Sequence, residues 1–539
     1  MQTQPNVLVL MTDQLRFDAL GCAGNETIRT PNLDRLAASG VHFSQACCST
    51  PVCVASRMSF ITGLRASDHH WVTNNALPGP VPELPTIMTQ LHRAGYHTQG
   101  VGKMHFRGRH YGFQGLQRME ECVEFRVDDD YLMYLKEQGV RTRYPHGLRD
   151  ILYYQPQTSG LPVEQSMSAW VTRQSVQLLR DHARHRPGKP FFLWSSWIAP
   201  HPPFAPSEPY DSMYNPEDMD PPVFPERPAA TLPCWRTRGR LDGAHLDTPR
   251  IQRIRALYYG LVSQVDDGVG EILDALEALG LAGNTAILFV SDHGDMLGDH
   301  GLSQKNVPYE ASVRIPMILR WPGRTEAGRR SDDLVGLDDF LPTLMEELGL
   351  ERDPEAPPLP GASLLGRAGG GLAGPRDAYF VDYGAGPGRW ISMRTPSHKY
   401  ALWAHGGFEE LYDLEADPHE TCNLVDRDPE RAVAMRERVL EWEREHGLSG
   451  SFENGTFRTY PFPKPETDVP RGVVVNEGRW PENLPENEQD SVESYAEAFT
   501  RAIAKETTLT PDKLSLAEYK KKGGHPLAAT PWEEAWREA

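Results

Sequence analysis

Hydrophobic positions in this chain follow two rhythms. Short, near-continuous apolar runs alternate with longer segments in which apolar residues recur every three or four positions. The runs "NVLVLMTD" (6–13), "PFFLWSSWIAPH" (190–201), "NTAILFVSDHGD" (284–295) and "VRIPMILRWPG" (313–323) read as strands buried on both faces. In "PTIMTQLHRAGYHTQGVGK" (85–103) a helix stops at Gly95 and another strand follows. The segments at 30–40, 168–183, 253–280 and 337–350 carry the helical period. Strand–helix alternation of this kind predicts an α/β fold: a large, mostly parallel sheet sandwiched by helices.

The pattern changes twice further on. Residues 353–375 are rich in Gly, Pro and Ala and mark a boundary. Beyond it "DAYFVDY", "RWISMRT" and "HKYALWA" predict a small antiparallel sheet, closed by a helix over 429–447. From about 449 the chain turns Pro-rich and polar, with two short helices expected near 491–505 and 511–521. Three units result: a catalytic-sized α/β domain over 1–370, a small α+β subdomain over 376–448, and an extended tail over 449–539. The tail is expected to contact a second subunit and to help border the site.

Composition narrows the partners. With 55 Lys+Arg against 74 Asp+Glu, the net charge is −19. So acidic a body repels nucleic acid and anionic membranes, and an anionic substrate needs local positive charge or a metal ion. The 7 cysteines are too sparse for a disulfide framework, and Cys47–Cys48 lacks zinc spacing. No run is long and apolar enough to span a bilayer, and "NVLVLM" reads as a strand rather than a leader core. A cytoplasmic protein is the expectation.

Candidate chemistry sits where the strands end. In open α/β sheets ligands gather beyond the carboxyl ends of the strands. Here those ends carry Asp13, then Lys103 and His105, then His201, then Asp292 and His293. Two carboxylates and an imidazole suit a divalent cation of intermediate hardness. Cys53 and Arg57 lie in "TPVCVASRMSFITGL", which reads as the start of a helix with Ser56 as its N-cap. A cysteine just outside a helix N-terminus faces unpaired N–H groups, a place suited to an anion or to unusual cysteine chemistry.

Together these segments resemble the sulfatase family of the alkaline-phosphatase-like superfamily. "CVASRMSFITG" is similar to the family signature, "GYHTQGVGKMH" to its second signature, "APHPPF" to the active-site histidine segment, "SDHGDMLGDHGLSQK" to the second metal motif, and "ELYDLEADPHETCNL" to a C-terminal motif. Nearest in pattern is the arylsulfatase, choline-sulfatase and phosphonate-monoesterase branch. The resemblance implies that Cys53 is oxidised to formylglycine by a maturation enzyme. A hydrate oxygen then attacks the sulfur of a small sulfate ester and displaces the alcohol. It implies one divalent ion, calcium with manganese as the alternative, held by Asp13, residue 53, Asp292 and His293. It gives Arg57 and Lys103 to anion stabilisation, His105 to release of sulfate, His201 and Lys305 to the leaving oxygen, and Asn75 to substrate binding. Two departures stand out: Ala55 replaces the signature proline, and Gln14 and His293 stand where Asp and Asn are common. The same residues admit two other functions, a phosphonate monoester or phosphodiester hydrolase and a non-catalytic anion binder with unmodified Cys53. A homo-oligomer, dimer or tetramer, is expected.

Overall fold

The computed structural model describes residues 4–106, 108–121, 128–140, 145–147, 154, 156–226, 248–368 and 376–461. Its frame is an eight-stranded sheet. The strands are β1 (Asn6–Asp13), β2 (Val41–Cys47), β3 (His97–Gly102), β4 (Gly115–Arg118), β5 (Phe191–Pro200), β6 (Thr285–Ser291), β7 (Met317–Arg320) and β8 (Arg329–Gly336). They lie in the order β4-β3-β5-β1-β6-β7-β2-β8. Only β7 runs against its neighbours, pairing antiparallel with β6 and β2. The large parallel sheet predicted above is therefore present, with one reversed strand.

Strands β1, β5 and β6 are buried along their whole length. Val7, Val9 and Met11 of β1 enter one core, and Leu8 and Leu10 enter the other. The period of two thus places helices on both faces. The second core is closed by the helices Pro31–Ala38, Met167–His185 and Thr248–Ala278, and the first by Cys53–Thr62, Ile87–Arg93 and Phe340–Leu348. Adjacent strands β3, β5, β1 and β6 are mutually parallel, so their carboxyl ends open on one rim.

The small sheet contains β9 (Tyr379–Tyr383), β10 (Trp390–Arg394), β11 (His398–Trp403) and β12 (Glu409–Asp413), all antiparallel. Ile391, Met393 and Leu411 pack with Met435, Val439 and Trp442 of the helix Pro429–His446. Val381, Trp390, Trp403 and Tyr412 instead join the first core of the large domain. A buried charge cluster reinforces that seam. Glu310, in a one-turn helix after β6, takes Arg394 Nη2 at 3.0 Å and Lys399 Nζ at 2.7 Å, and Lys399 reaches Glu420 at 2.8 Å. Beyond Pro429–His446 a hairpin buries Phe457 in the same small core, and Tyr460 N–H donates to Ala404 O. The helices expected near 491–505 and 511–521, and the tail beyond 461, lie outside the described residues.

Local expectations are corrected in two places. The run 313–323 is not one strand: residues 310–313 form a helical turn and only Met317–Arg320 is extended. The helix over 53–62 begins at Cys53 with Val52, not Ser56, as its N-cap. "DDDYLMYL" forms a helix over Asp130–Glu137, capped by Asp129.

Candidate active site

The rim gathers side chains far apart in sequence. Asp13 closes β1, Asp292 and His293 follow β6, Lys103 follows β3, and His201 follows β5. Gly102 lets β3 deliver Lys103. It has φ +91°, and a Cβ there would stand 1.9 Å from Ser196 O of β5. Lys103 N–H donates to that same carbonyl at 3.0 Å.

Cys53 enters from the helix Cys53–Thr62, all of whose residues are buried. It sits in the first turn rather than before it, so the helix's positive end lies against the site. Val54 N–H donates to Asn74 Oδ1 at 3.1 Å. Ser56, freed from capping, donates its hydroxyl to Asp292 O at 2.5 Å and ties the helix to the β6 loop. Cys53 Sγ lies 3.3 Å from His293 Nε2, 3.7 Å from Asp13 Oδ1 and 3.9 Å from Lys103 Nζ. Burial, then the Asp13 charge, pushes its thiol up to about 12. An unmodified Cys53 is therefore a neutral thiol at neutral pH and a poor nucleophile.

Asp13, Cys53, Asp292 and His293 can each turn one ligand atom into a single cluster whose members lie within 4.8 Å of one another. His293 Nδ1 lies 3.0 Å from Gly294 O, which only accepts, so Nδ1 carries the proton and Nε2 keeps its lone pair for the cluster. Two wholly buried carboxylates facing each other suit a cation between them. A divalent ion fits this donor set of two oxygens, one imidazole nitrogen and residue 53. Burial works to raise Asp292, but His293, Arg57 and Lys103 outweigh it and hold its carboxyl at about 2. Asp13 is likewise held low by Lys103, His201 and Lys305, against burial and Asp292.

The cationic side is as closely built. Arg57 is wholly buried, with Nε 2.8 Å from Asp292 Oδ2 and Nη1 2.9 Å from Ser196 Oγ. Its Nη2, 4.0 Å from Asp13 Oδ2, donates no hydrogen bond. Lys103 Nζ contacts Asp13 Oδ2 and lies 3.0 Å from Glu121 Oε2. A second potential ligand group, Asp13, Glu121 and His201, thus already surrounds an ammonium. Lys305 Nζ donates to Gln14 Oε1, and Gln14 Nε2 donates to Asp295. His105, at φ 59°, has a buried Nδ1 with no hydrogen-bond partner. Burial and the Lys103 charge bring its imidazole down to about 3, so it stays neutral.

The chain is similar in sequence and fold to known proteins. The family model described as Sulfatase matches residues 5–350, and a model for the C-terminal part of N-sulphoglucosamine sulphohydrolase matches 298–444. An arylsulfatase of Clostridium perfringens is 31% identical, covering 85% of this chain and 98% of its own. The chain belongs to the sulfatase family. It is accordingly a sulfuric ester hydrolase by class, and family members generally use formylglycine and a divalent metal. A multifunctional alkaline phosphatase superfamily protein, PehA of Trinickia caryophylli, is 30% identical to this sulfatase over 82% of the chain and 96% of its own. The fold matches the crystal structure of the phosphonate monoester hydrolase of Agrobacterium radiobacter with a TM-score of 0.71 at 24% identity, covering 82% of this chain and 96% of that one.

Of the residues singled out from the sulfatase's sequence, Asp13, Cys53, Arg57, Lys103, Asp292 and His293 form one contiguous group. His201 joins it through Glu121, and Lys305 through Gln14. Asn75 lies on an exposed turn, while its neighbour Asn74 reaches the Cys53 helix. Sequence reasoning missed Glu121, Asn74, and Asp295 with its partner Tyr154. Asp295 had a signal, as the last acid of "SDHGD"; Glu121, inside "MEEC", had none.

Proposed function

We propose that this sulfatase hydrolyses sulfate monoesters, with aryl sulfates as assay substrates, at a formylglycine made from Cys53. One observation carries the reading: a wholly buried cysteine in the first turn of a helix, amid three other potential metal donors and beside Lys103 and Arg57. When bound, the ion adds positive charge and the aldehyde hydrate supplies the attacking oxygen. Asp13, Asp292, His293 and residue 53 would hold the ion, calcium or, as the softer alternative, manganese.

The chain's own residues supply the rest. Arg57 Nη2 offers a donor to an equatorial oxygen of the transferred group, and Lys103 offers a second positive charge. His201 and Lys305 stand ready to stabilise the leaving oxygen. His105, neutral and with Nδ1 unbonded, can take a proton in the release of sulfate. A second reading, phosphonate monoester or phosphodiester hydrolysis, uses the same nucleophile and the same contacts to the equatorial oxygens.

Peptide mass analysis around Cys53, metal analysis, and kcat/KM for 4-nitrophenyl sulfate against 4-nitrophenyl phenylphosphonate test the reading. We expect –CHO in place of –CH₂SH, about one equivalent of divalent ion, and faster sulfate turnover. Aldehyde with faster phosphonate turnover transfers the conclusion to the second reading. Unmodified cysteine in protein from its native host, with sulfate bound but not turned over, would overturn both.

A further inference from the structure

Glu121 touches two of the residues just assigned, the Lys103 ammonium and the His201 imidazole. Its Oε2 lies 3.0 Å from Lys103 Nζ and 3.1 Å from His201 Nε2. His201 is almost fully buried, and its Nδ1 lies 2.7 Å from Pro202 O. A carbonyl oxygen only accepts, so Nδ1 must carry a proton. In a neutral ring Nε2 would then be an acceptor facing a carboxylate oxygen, which is another acceptor. The 3.1 Å contact is a hydrogen bond only if one more proton lies between Nε2 and Oε2. Burial, Lys305 and Lys103 disfavour a charged His201 ring while Glu121 and Asp13 favour one, so the contact is built for a proton shared by the pair, next to the Asp13–Cys53 cluster, rather than for a free imidazolium. Lys103 donates to the same Oε2, which balances that oxygen and fixes the carboxylate's direction.

We infer that Glu121 is a positioning residue that orients Lys103 and keeps His201 supplied with the proton given to the leaving oxygen. This rests on the ester-hydrolase reading above. As the bond from sulfur (or phosphorus) to the alcohol oxygen breaks, its electron pair stays on that oxygen. The shared proton moves there from His201 Nε2, and the alcohol departs neutral. Water consumed by the hydrolysis restores the proton to the pair. Proton donation matters most when the leaving alcohol is a poor one, because more negative charge then builds on its oxygen. A carboxylate that merely supported the fold would affect good and poor leaving groups alike.

The test compares 4-nitrophenyl and phenyl esters of whichever acid, sulfuric or phosphonic, the full-length aldehyde-bearing enzyme turns over. Glu121→Gln should lower kcat/KM by about tenfold or less on the 4-nitrophenyl ester and by about a hundredfold or more on the phenyl ester. His201→Ala should steepen the leaving-group dependence similarly, and the double variant should be no steeper than His201→Ala. Glu121→Asp, which keeps the carboxylate, should fall between wild type and Glu121→Gln. An equal fall on both esters, or no fall, would overturn the assignment. If Glu121→Gln fails to fold, Glu121→Asp decides: a wild-type leaving-group dependence would overturn it. The sulfate reading fails separately, on the wild type's preference between acids. An aldehyde-bearing wild type inert to every ester would overturn both.

Discussion

Arg57 shows how little slack the site has at the scale of one residue. Three of its donors are committed to Asp292, Ser196 and the Lys103 carbonyl, and the remaining nitrogen faces Asp13. Lysine has one compact ammonium in place of that planar fork and cannot hold Asp292 while also meeting an anion. Arg57→Lys should therefore lower kcat by about 10²–10³-fold, measured on aryl sulfate with aldehyde content checked by mass. Much of this was legible beforehand, because ionisable residues straight after an apolar strand have no packing reason to be there. Asp13, Asp292 and His293 announced themselves in that way. Glu121 did not, since an acid in a polar loop looks like any solvated acid, and only the fold folds it back onto Lys103. Asn75, given to substrate binding by the family resemblance, lies on an exposed turn and Asn74 reaches Val54 N–H, because sequence alone does not say which of two neighbours a turn directs inward.

Among the elements, the loop bearing Lys103 and His105 is the one most dependent on its supports. Glu120 Oε1 accepts the N–H groups of Met104 at 3.2 Å and His105 at 2.8 Å. Asp129, which caps the helix Asp130–Glu137 at Leu132 N–H, also takes Glu120 N–H at 2.7 Å. Burial pushes the Asp129 carboxyl up to about 7, despite those two backbone donors. Its unfolded value is about 3.9, so the folded chain holds a proton that the unfolded chain releases between the two values. The resulting stabilisation is complete below about pH 4 and lost as pH rises to about 7. Asp129→Asn loses one acceptor but never ionises. Its thermal midpoint, taken as a difference from wild type, should shift in the variant's favour between pH 5 and pH 8. A constant difference would refute the assignment. Elements with unbroken apolar runs, β1, β5 and β6, were readable directly. Strand β8 was not, because "RRSDDLVG" lies at a sheet edge and keeps charges on its exposed side. The Cys53 helix starts four residues earlier than its sequence suggests, since Ser56 has the chemistry of a cap and uses it on Asp292 instead.

For the whole molecule, the small sheet is less an appendage than a wall of the large core. Trp390, Trp403 and Tyr412 fill that core, and Glu310 links it to Arg394 and Lys399. Burial works to raise the Glu310 carboxyl, but Arg394 and Lys399 outweigh it and hold it far below the usual carboxylate range. Removing one side of such a buried pair strands the other. Glu310→Gln should cost about 3–5 kcal/mol in denaturant unfolding, with both sheets lost in one transition. A low-denaturant step confined to the small sheet would contradict the shared core. Composition shifts made the two sheets visible in the sequence, but the joint between them rests on contacts too long-range for periodicity to register. The burial of Cys53, at zero exposure, sets a final condition. Once the sheet has closed, no second protein can reach that thiol. If residue 53 is converted, conversion must outrun folding, so each molecule's fate is decided within its first moments and cannot be amended later. The active fraction of a preparation then records a contest of rates during synthesis, and conditions that delay closure of the sheet would raise it.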